Sequence, residues 1–240
     1  FKYEIFKKKK ILAIIPARGE LKSLKNKNII KLFFKPLIFY SINAAKKCNF
    51  ISRIIVSTDS EKIKKIALKF GAEAPFLRPK KLALDNSKDY ETFHHCLKWL
   101  SKNENYNPDL IIHLRPTYPM RKISEINKSI KFALSNNNFD SIRSVCEPMQ
   151  HPFKMYVVNN KKFLKPFIEN SKKEFGNWPR QQLPKIYWHN GYIDIIKPKT
   201  IMNQHSMSGK RILPYFLKND EIHDVDDRIS LEIIKKLFNN

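Results

Sequence analysis

Cysteine and long apolar runs are the scarcest features of this 240-residue chain. Its three cysteines, Cys48, Cys96 and Cys146, form no CxxC pair and leave one thiol unpaired in any disulfide scheme. The chain therefore carries no disulfide framework, which suits a reducing cytoplasm. No stretch approaches the ~20 consecutive apolar residues that span a bilayer. We expect a cytoplasmic protein without a membrane partner.

Acidic residues are also few. The chain has 22 Asp and Glu against 46 Lys and Arg, a formal net charge of +24. Such an excess raises the prospect of a nucleic-acid partner, because clustered basic residues neutralise phosphates. Here the lysines are scattered over predicted helix faces such as residues 61–65, and no helix-turn-helix, zinc-finger or RNP motif is present. We expect no nucleic acid, but a non-enzymatic nucleic-acid-binding protein stays an alternative on charge alone.

Short β-branched runs alternate with amphipathic segments through the first 150 residues. This pattern predicts an α/β domain, with a mainly parallel sheet and flanking crossover helices, over residues 1–240. The strands are predicted at residues 11–15, 53–57, 109–114 and 140–145. The helices are predicted at residues 36–47, 61–70, 90–102 and 123–134.

The alternation fails between about residues 147 and 189, where prolines interrupt a charged, aromatic-rich stretch. We interpret this stretch as an inserted loop or small subdomain. Asn190-Gly191 then predicts a type I′ hairpin turn before a strand at 192–196. A last helix is predicted at 228–238.

A basic loop, residues 16–28, directly follows the first predicted strand. Ligands of open α/β sheets bind beyond the carboxyl ends of the strands, so this loop is well placed to hold a triphosphate. It matches neither GxGxxG nor the P-loop pattern. Taken alone, it is more simply explained as a basic surface loop.

Asp224 and Asp226 flank Val225 shortly before the last helix. In a strand, this alternation would direct both carboxylates to the same side. Two such oxygen donors facing a triphosphate would suit Mg²⁺, which takes one or two carboxylates plus phosphate oxygens. The equally good alternative is a helix cap, in which Asp226 or Asp227 accepts backbone N–H bonds.

Three arginines follow predicted strands or begin helices, namely Arg78, Arg115 and Arg121. Several guanidinium groups at the same sheet edge indicate recognition of an anion or a nucleotide base, because each offers fixed bidentate donors.

These segments occur in the order and spacing of a known family. Residues 16–28, 53–59, 76–85 and 114–121 (LRPTYPMR) resemble successive signatures of the CMP-nonulosonate synthetases, the acylneuraminate cytidylyltransferase family. Segments at 151–154, 179–184 and 190–191 are similar to its sugar-binding region, and residues 224–226 to its terminal DID metal motif. The resemblance covers nearly all of residues 11–237. It implies a Rossmann-like fold whose lobe, about 147–189, serves dimerisation and sugar binding and reaches the site of a partner in a homodimer.

The resemblance also implies the activity and its residues. CTP and a sialic, legionaminic or pseudaminic acid would give the CMP-sugar and pyrophosphate, with Mg²⁺ on Asp224 and Asp226. Arg18 and Lys27 would hold the triphosphate and join the two aspartates as catalytic residues. The implied nucleotide-binding set is Ala17, Arg18, Gly19, Lys27, Asn28, Arg78 and Asp85. The implied sugar-binding set is Arg115, Thr117, Lys154, Arg180, Gln181 and Asn190, with Lys154 and Arg180 on the carboxylate.

The sequence departs from the family pattern at three places. Glu20 and Leu21 stand where the phosphate loop has its second glycine and a serine, and Ser230 stands where an acidic residue is expected. Arg115 replaces the glutamine of LQPT, which should alter how the sugar is recognised. A CMP-Kdo synthetase is the alternative within enzymes, although Lys27, Asn28 and residues 179–184 favour nonulosonic acids.

Overall fold

The computed structural model describes residues 9–19, 26–169, 174–219 and 223–238. Within them a six-stranded sheet forms the centre of the molecule, and two short hairpins lie outside it. The sheet strands are β1 (Ile11–Pro16), β4 (Arg53–Ser57), β5 (Leu110–His113), β6 (Ser141–Cys146), β9 (Trp188–Ile196) and β10 (Ile212–Phe216). The hairpins are β2 (Lys31–Leu32) with β3 (Lys35–Pro36), and β7 (Tyr156–Val158) with β8 (Leu164–Pro166).

Helices flank this sheet. They are α1 (Leu37–Lys46), α2 (Glu61–Lys69), α3 (Asp89–Glu104), α4 (Ile123–Ser135), α5 (Pro198–Met202) and α6 (Arg228–Phe238). Local sequence explains several boundaries: Pro36 precedes α1, and the Ser60 hydroxyl caps α2 by accepting the Ile63 amide proton. The predicted helices are confirmed within a few residues.

The strand order is β10-β6-β9-β5-β1-β4. All neighbours pair in parallel except β9, which lies antiparallel between β5 and β6. The predicted mainly parallel α/β fold is thus confirmed. Because β9 runs in reverse, its first half lies at the same edge as the carboxyl ends of β5 and β6.

The core explains why β1 is continuously apolar. Ile11, Ala13 and Ile15 pack into one hydrophobic cluster with α1 and α4. Leu12 and Ile14 face the opposite cluster against α3. A strand buried on both faces needs apolar residues at every position, which is why its sequence shows no alternation.

The predicted turn at Asn190-Gly191 is wrong. Both residues lie inside β9, where the register against β6 shifts between Arg143 and Val145. Gly191 has a φ of 74°, so the left-handed backbone expected of a turn produces an irregularity within the strand instead. The preference of Asn-Gly for a left-handed backbone therefore produces a β-bulge here and not a hairpin turn.

The irregular middle of the chain forms a separate projection. Beside the β7–β8 hairpin it contains three short 3₁₀ turns, Pro152–Lys154, Phe175–Asn177 and Arg180–Gln182. Its apolar side chains are largely exposed, among them Tyr156, Val158, Phe163, Leu164 and Phe167. The extent predicted for the lobe, 147–189, stays a prediction.

All three cysteines are buried and free of disulfides. No helix within the described ranges is long and apolar enough to cross a membrane.

Candidate active site

A cleft of about 280 Å³ opens beyond the carboxyl ends of β1 and β5. Its walls come from the loop after β1, the segment before α3 and the residues following β5. The predicted site residues that line it are Arg18, Lys27, Asn28, Arg78, Asp85, Arg115 and Thr117. The topology thus brings side chains from three distant segments to one edge of the sheet.

The loop after β1 is fastened to its neighbours. Asn28 donates its amide to the Arg18 carbonyl at 2.9 Å, and Arg18 Nη1 donates to the Leu84 carbonyl at 2.9 Å. Arg18 also lies 3.1 Å from Asp85 Oδ1, which joins the loop to the opposite wall of the cleft. The departures at Glu20 and Leu21 lie outside the described residues.

Ala17 and Gly19 contribute backbone and do not line the cleft. Ala17 is buried in the core, and its amide bonds the Ser57 carbonyl at 2.9 Å. The Gly19 amide donates to Asp59 Oδ1 at 2.9 Å. A Cβ at Gly19 would come within 3.0 Å of the Ser60 Cβ, so the close approach of these two loops depends on glycine.

Arg78 is buried in the cleft wall. Its Nη1 donates to Thr92 Oγ1 at 2.7 Å, while its Nε has no partner among the described residues. Burial lowers the pKa of this guanidinium, against the attraction of Asp59. Because buried donors are rarely left unpaired, this one indicates a ligand that presents an acceptor.

Asp224 and Asp226 are not among the described residues that line the cleft, but Asp226 pairs with Lys27, which is. Lys27 Nζ lies 2.9 Å from Asp226 Oδ1, with the lysine side chain 8% exposed and the aspartate side chain 75% exposed. The expectation that residues 224–226 form a strand is wrong, since they are irregular. Val225 fixes them instead, because its side chain is buried beside α6 and its amide bonds the Thr117 carbonyl.

Helix capping falls to Asp227. Asp227 Oδ1 accepts the Ser230 amide at 2.7 Å, and Ser230 Oγ accepts the amides of Asp226 and Asp227, each at 2.9 Å. Ser230 thus closes the first turn of α6 and gives a structural reason for its departure from the family pattern. The Asp226 carboxylate is left directed at Lys27.

The two aspartates have the donor chemistry that Mg²⁺ requires. Among the described residues Asp224 Oδ1 is buried without a hydrogen-bond partner, and burial raises the pKa of this carboxyl despite a hydrogen bond from Thr117. A bound cation would satisfy that orphan oxygen. Within the described ranges no group of three or more His, Cys, Asp or Glu could hold a metal. The residues fit an ion that takes its remaining ligands from phosphate and water.

Three of the predicted sugar-binding residues lie away from the cleft. Arg180 and Gln181 line a second pocket of about 390 Å³ in the lobe, which shares no lining residue with the cleft. The Arg180 guanidinium donates to the carbonyls of Pro148 and Met149, which ties the lobe together. Lys154 is exposed in the turn beside this pocket. Lys154, Arg180 and Gln181 are therefore not among the described residues that line the cleft of their own chain.

Asn190 is buried behind the cleft. Its Oδ1 accepts from the Ser144 hydroxyl at 2.7 Å and from the Tyr192 amide at 3.0 Å. Its Nδ2 has no partner in the part of the chain that the structure describes. This free amide is a donor available beside the bulge in β9.

A buried charged cluster beneath the cleft was missed by the sequence reasoning. Asp194 Oδ2 lies 2.8 Å from Nη1 of both Arg115 and Arg143, and His189 Nε2 donates to Asp194 Oδ1 at 2.8 Å. His113 stands next to it, 3.7 Å from Asp194 Oδ2. The available signal was an aspartate within an otherwise apolar strand, since such a residue is rarely buried without partners.

The partners determine the charge state of this cluster. Burial alone would raise the pKa of Asp194, but the His189 hydrogen bond and the Arg115 and Arg143 charges hold it well below its ordinary value. Burial and the same arginines keep the pKa of His113 well below its usual range. Asp194 is therefore an anion and His113 is neutral near pH 7.

Arg121 differs from Arg78 and Arg115, because it does not line the cleft. Its guanidinium is buried, with Nε donating to the Tyr192 carbonyl at 2.8 Å and Nη1 to Ser41 Oγ at 2.9 Å. It supports the strand beneath the site.

The sequence matches the cytidylyltransferase family over residues 12–193. This match spans most of the chain and includes the loop after β1, the cleft wall and the bulge in β9. The protein belongs to the cytidylyltransferase family and is a nucleotidyltransferase.

Three similar proteins indicate which members of the family the chain resembles. The chain is 32% identical to the post-translational flagellin modification protein B of Campylobacter coli, over 95% of this chain and 94% of that protein. It is 31% identical to the CMP-N,N'-diacetyllegionaminic acid synthase of Legionella pneumophila, over 95% and 96%. It is 30% identical, over 93% of its length, to the N-acylneuraminate cytidylyltransferase of Escherichia coli, and spans only 51% of that protein.

A solved structure shows the same fold. The CMP:2-keto-3-deoxy-manno-octonic acid synthetase complexed with CTP aligns with a TM-score of 0.71, covering 96% of this chain and 98% of that one. The sequence identity is 15%, so this likeness speaks for the fold alone.

Proposed function

We propose that this protein activates a nonulosonic acid of the sialic, legionaminic or pseudaminic type with CTP, giving the CMP-sugar and pyrophosphate. The observation that carries this proposal is a cleft lined by Arg18, Lys27, Asn28 and Arg78, with Asp226 paired to Lys27. The family supports transfer of a cytidylyl group, and the names of the relatives support this class of sugar acid.

In the proposed reaction the anomeric C2 hydroxyl of the sugar attacks the α-phosphorus of CTP. A new C2–O–P link forms, the bond to the β-phosphate breaks, pyrophosphate leaves, and the hydroxyl proton is lost. Positioning and charge neutralisation dominate such phosphoryl-type transfers. Arg18 and Lys27 offset negative charge on the phosphates. Arg78 and Asn28 orient the nucleotide.

Asp224 and Asp226 are proposed to hold Mg²⁺. The ion would neutralise charge on the phosphate oxygens. Lys27 lies against Asp226, so its ammonium would be near a phosphate bound to the ion. Both carboxylates belong to one short segment. The Val225 amide donates to the Thr117 carbonyl and so fixes the position of this segment relative to Thr117.

The lobe is proposed to act across a homodimer. Lys154, Arg180 and Gln181 do not line the cleft of their own chain, and exposed apolar side chains cover the lobe. A second copy would bury that surface and bring the lobe of one chain to the cleft of the other. The free cysteines accord with the cytoplasm as the place of action.

Substrate preference distinguishes the enzyme alternatives, and competition by DNA tests the nucleic-acid alternative. Pyrophosphate release should be measured with CTP, ATP, GTP and UTP against a panel of nonulosonic acids and Kdo. We expect CTP to be used at least about 100-fold better than the other nucleotides, in kcat/KM, because a base site built of buried donors discriminates strongly. Equal turnover with ATP would refute the proposal, and turnover with Kdo alone would favour the eight-carbon sugar. Binding to random DNA that outcompetes CTP at physiological salt would favour the nucleic-acid alternative.

A further inference from the structure

The charged cluster around Asp194 is buried, and two residues beside Asp194, Arg115 and the neutral His113, line the cleft. Asp194 is fully buried, and the Arg143 side chain is 10% exposed. Arg143 turns away, with Nη2 bonding the Met207 carbonyl at 2.7 Å and Ser208 Oγ at 3.0 Å. Of the two guanidinium groups on Asp194, only that of Arg115 lines the cleft.

The Arg115 guanidinium is held on several sides. Nη1 donates to Asp194 Oδ2 and to the Gly191 carbonyl, both at 2.8 Å. A Cβ at Gly191 would come within 2.8 Å of this same nitrogen, so a side chain at residue 191 would force the Arg115 guanidinium to move. A guanidinium fixed by a carboxylate, a carbonyl and a close backbone is pre-organised to present its remaining donors.

Arg115 Nη2 lies 3.6 Å from Asp89 Oδ2, which exceeds hydrogen-bond length. The Arg115 guanidinium thus already faces two carboxylates, those of Asp194 and Asp89. Arginine supplies donors only. A third carboxylate brought to Arg115 would be repelled by these two, whereas a neutral acceptor would not, so the remaining N–H groups suit a neutral acceptor better than a carboxylate.

We propose that Asp194 is a positioning residue that holds Arg115 at the sugar end of the cleft, where Arg115 binds a neutral acceptor of the sugar, a hydroxyl or an acyl carbonyl. This inference rests on the proposed function. Under this proposal Arg115 contacts a neutral group of the sugar, and other residues recognise the sugar carboxylate. It also makes Asp194 a determinant of which sugar acid is accepted.

The test is steady-state kinetics in which the sugar acid and CTP are varied separately. Asp194→Asn should raise the KM for the sugar acid at least tenfold, about 1.4 kcal/mol, while the KM for CTP changes less than twofold. Arg115→Met, which keeps the side-chain length and removes every donor, should have a similar effect, and the double variant should be no worse than the stronger single one, because both changes remove the same contact.

Arg143→Gln is the matched control, because it removes the other guanidinium from Asp194 without touching the cleft. It should lower thermal stability and leave the KM for the sugar acid within twofold. Should Asp194→Asn fail to fold, Gly191→Ala replaces it, since the added methyl displaces the Arg115 guanidinium and keeps every charge, while the strain of alanine at a φ of 74° is read separately as a lower melting temperature. It should raise the KM for the sugar acid as Asp194→Asn does.

The acceptor is identified with sugar acids that each lack one hydroxyl or one acyl group. One analogue should lose at least tenfold in kcat/KM with the wild type and lose nothing further with Arg115→Met. An equal rise in KM for Asp194→Asn and Arg143→Gln, additive effects of Asp194→Asn and Arg115→Met, or no analogue of this kind would overturn the inference and leave the proposed function intact. A wild type that turns over no nonulosonic acid would overturn both.

Discussion

Asp226 and Asp227 are adjacent carboxylates to which the structure gives separable tasks. Asp226 faces Lys27 at 2.9 Å, whereas Asp227 Oδ1 caps α6 by accepting the Ser230 amide at 2.7 Å. Asp226→Asn and Asp227→Ala therefore form a matched pair one residue apart. We expect Asp226→Asn to abolish most turnover and Asp227→Ala to affect mainly stability.

The expected magnitudes follow from these contacts. Loss of an exposed helix N-cap such as Asp227 lowers the melting temperature by about 2–4 °C in a chain of this size. The Asp226 carboxylate is mostly exposed, so its ion pair with Lys27 contributes at most about 1 kcal/mol. Removing one group that stabilises charge on a reacting phosphate typically reduces kcat by about 10²–10³.

The measurement is pyrophosphate release under saturating CTP, sugar acid and Mg²⁺, divided by the folded fraction from a thermal melt of each variant. Asp226→Asn should fall at least about 100-fold in turnover. Asp227→Ala should retain turnover per folded molecule. A titration of Mg²⁺ on both variants adds a second readout, since Asp226→Asn alone should need more metal.

The reverse pattern would refute the reasoning. If Asp226→Asn melted early but kept its turnover per folded molecule, its carboxylate would be structural. If Asp227→Ala lost as much turnover as Asp226→Asn, the separation of capping from metal binding would be wrong.

Two further predictions concern the lobe and the buried cluster. Arg180→Lys should raise the KM for the sugar acid and leave the KM for CTP unchanged, because binding the sugar carboxylate needs the bidentate guanidinium fork. If instead the melting temperature fell or the dimer was lost while both KM values stayed the same, Arg180 would only brace the lobe through the carbonyls of Pro148 and Met149. The depressed pKa of Asp194 gives stability that is fully present above its unfolded pKa of about 3.9 and is lost as pH falls further. The measurement is the unfolding free energy of wild type and Asp194→Asn from urea titrations at a series of pH values. The difference between the two proteins should be constant from pH 7 to 5 and should shrink by up to about 1.4 kcal/mol per pH unit below pH 4. A difference that stays unchanged down to pH 3 would contradict this prediction.

Among the described elements, sequence reasoning located five of the six helices and five of the six strands of the central sheet, because their signals are local. The run at 11–15, the capping serine at 60 and the apolar period of α6 each specify an element without distant partners. Strand β10 was missed because Pro214 argues against a strand. The structure resolves this, since β10 pairs only with β6 and an edge strand tolerates proline.

The bulge at Gly191 shows a different limit. A left-handed glycine after asparagine is the local signature of a hairpin turn, and the residue does adopt a positive φ. Whether that backbone reverses the chain or bulges within a strand depends on the strands alongside. Pairing of β9 with β5 and β6 spans dozens of residues, so it leaves no local trace.

The same reversal of β9 explains why one half of the site was visible in the sequence and the other was not. Arg18, Lys27 and Arg78 come from segments that follow β1 and β4, where a parallel sheet already predicts a ligand edge. Asp194 reaches that edge only because β9 is inserted in reverse, which sets it opposite His113 and Arg143. A change of sugar specificity can therefore arise in β9 and the Arg115 position without disturbing the nucleotide loop, which is the separation that the kinetics of Asp194→Asn would measure.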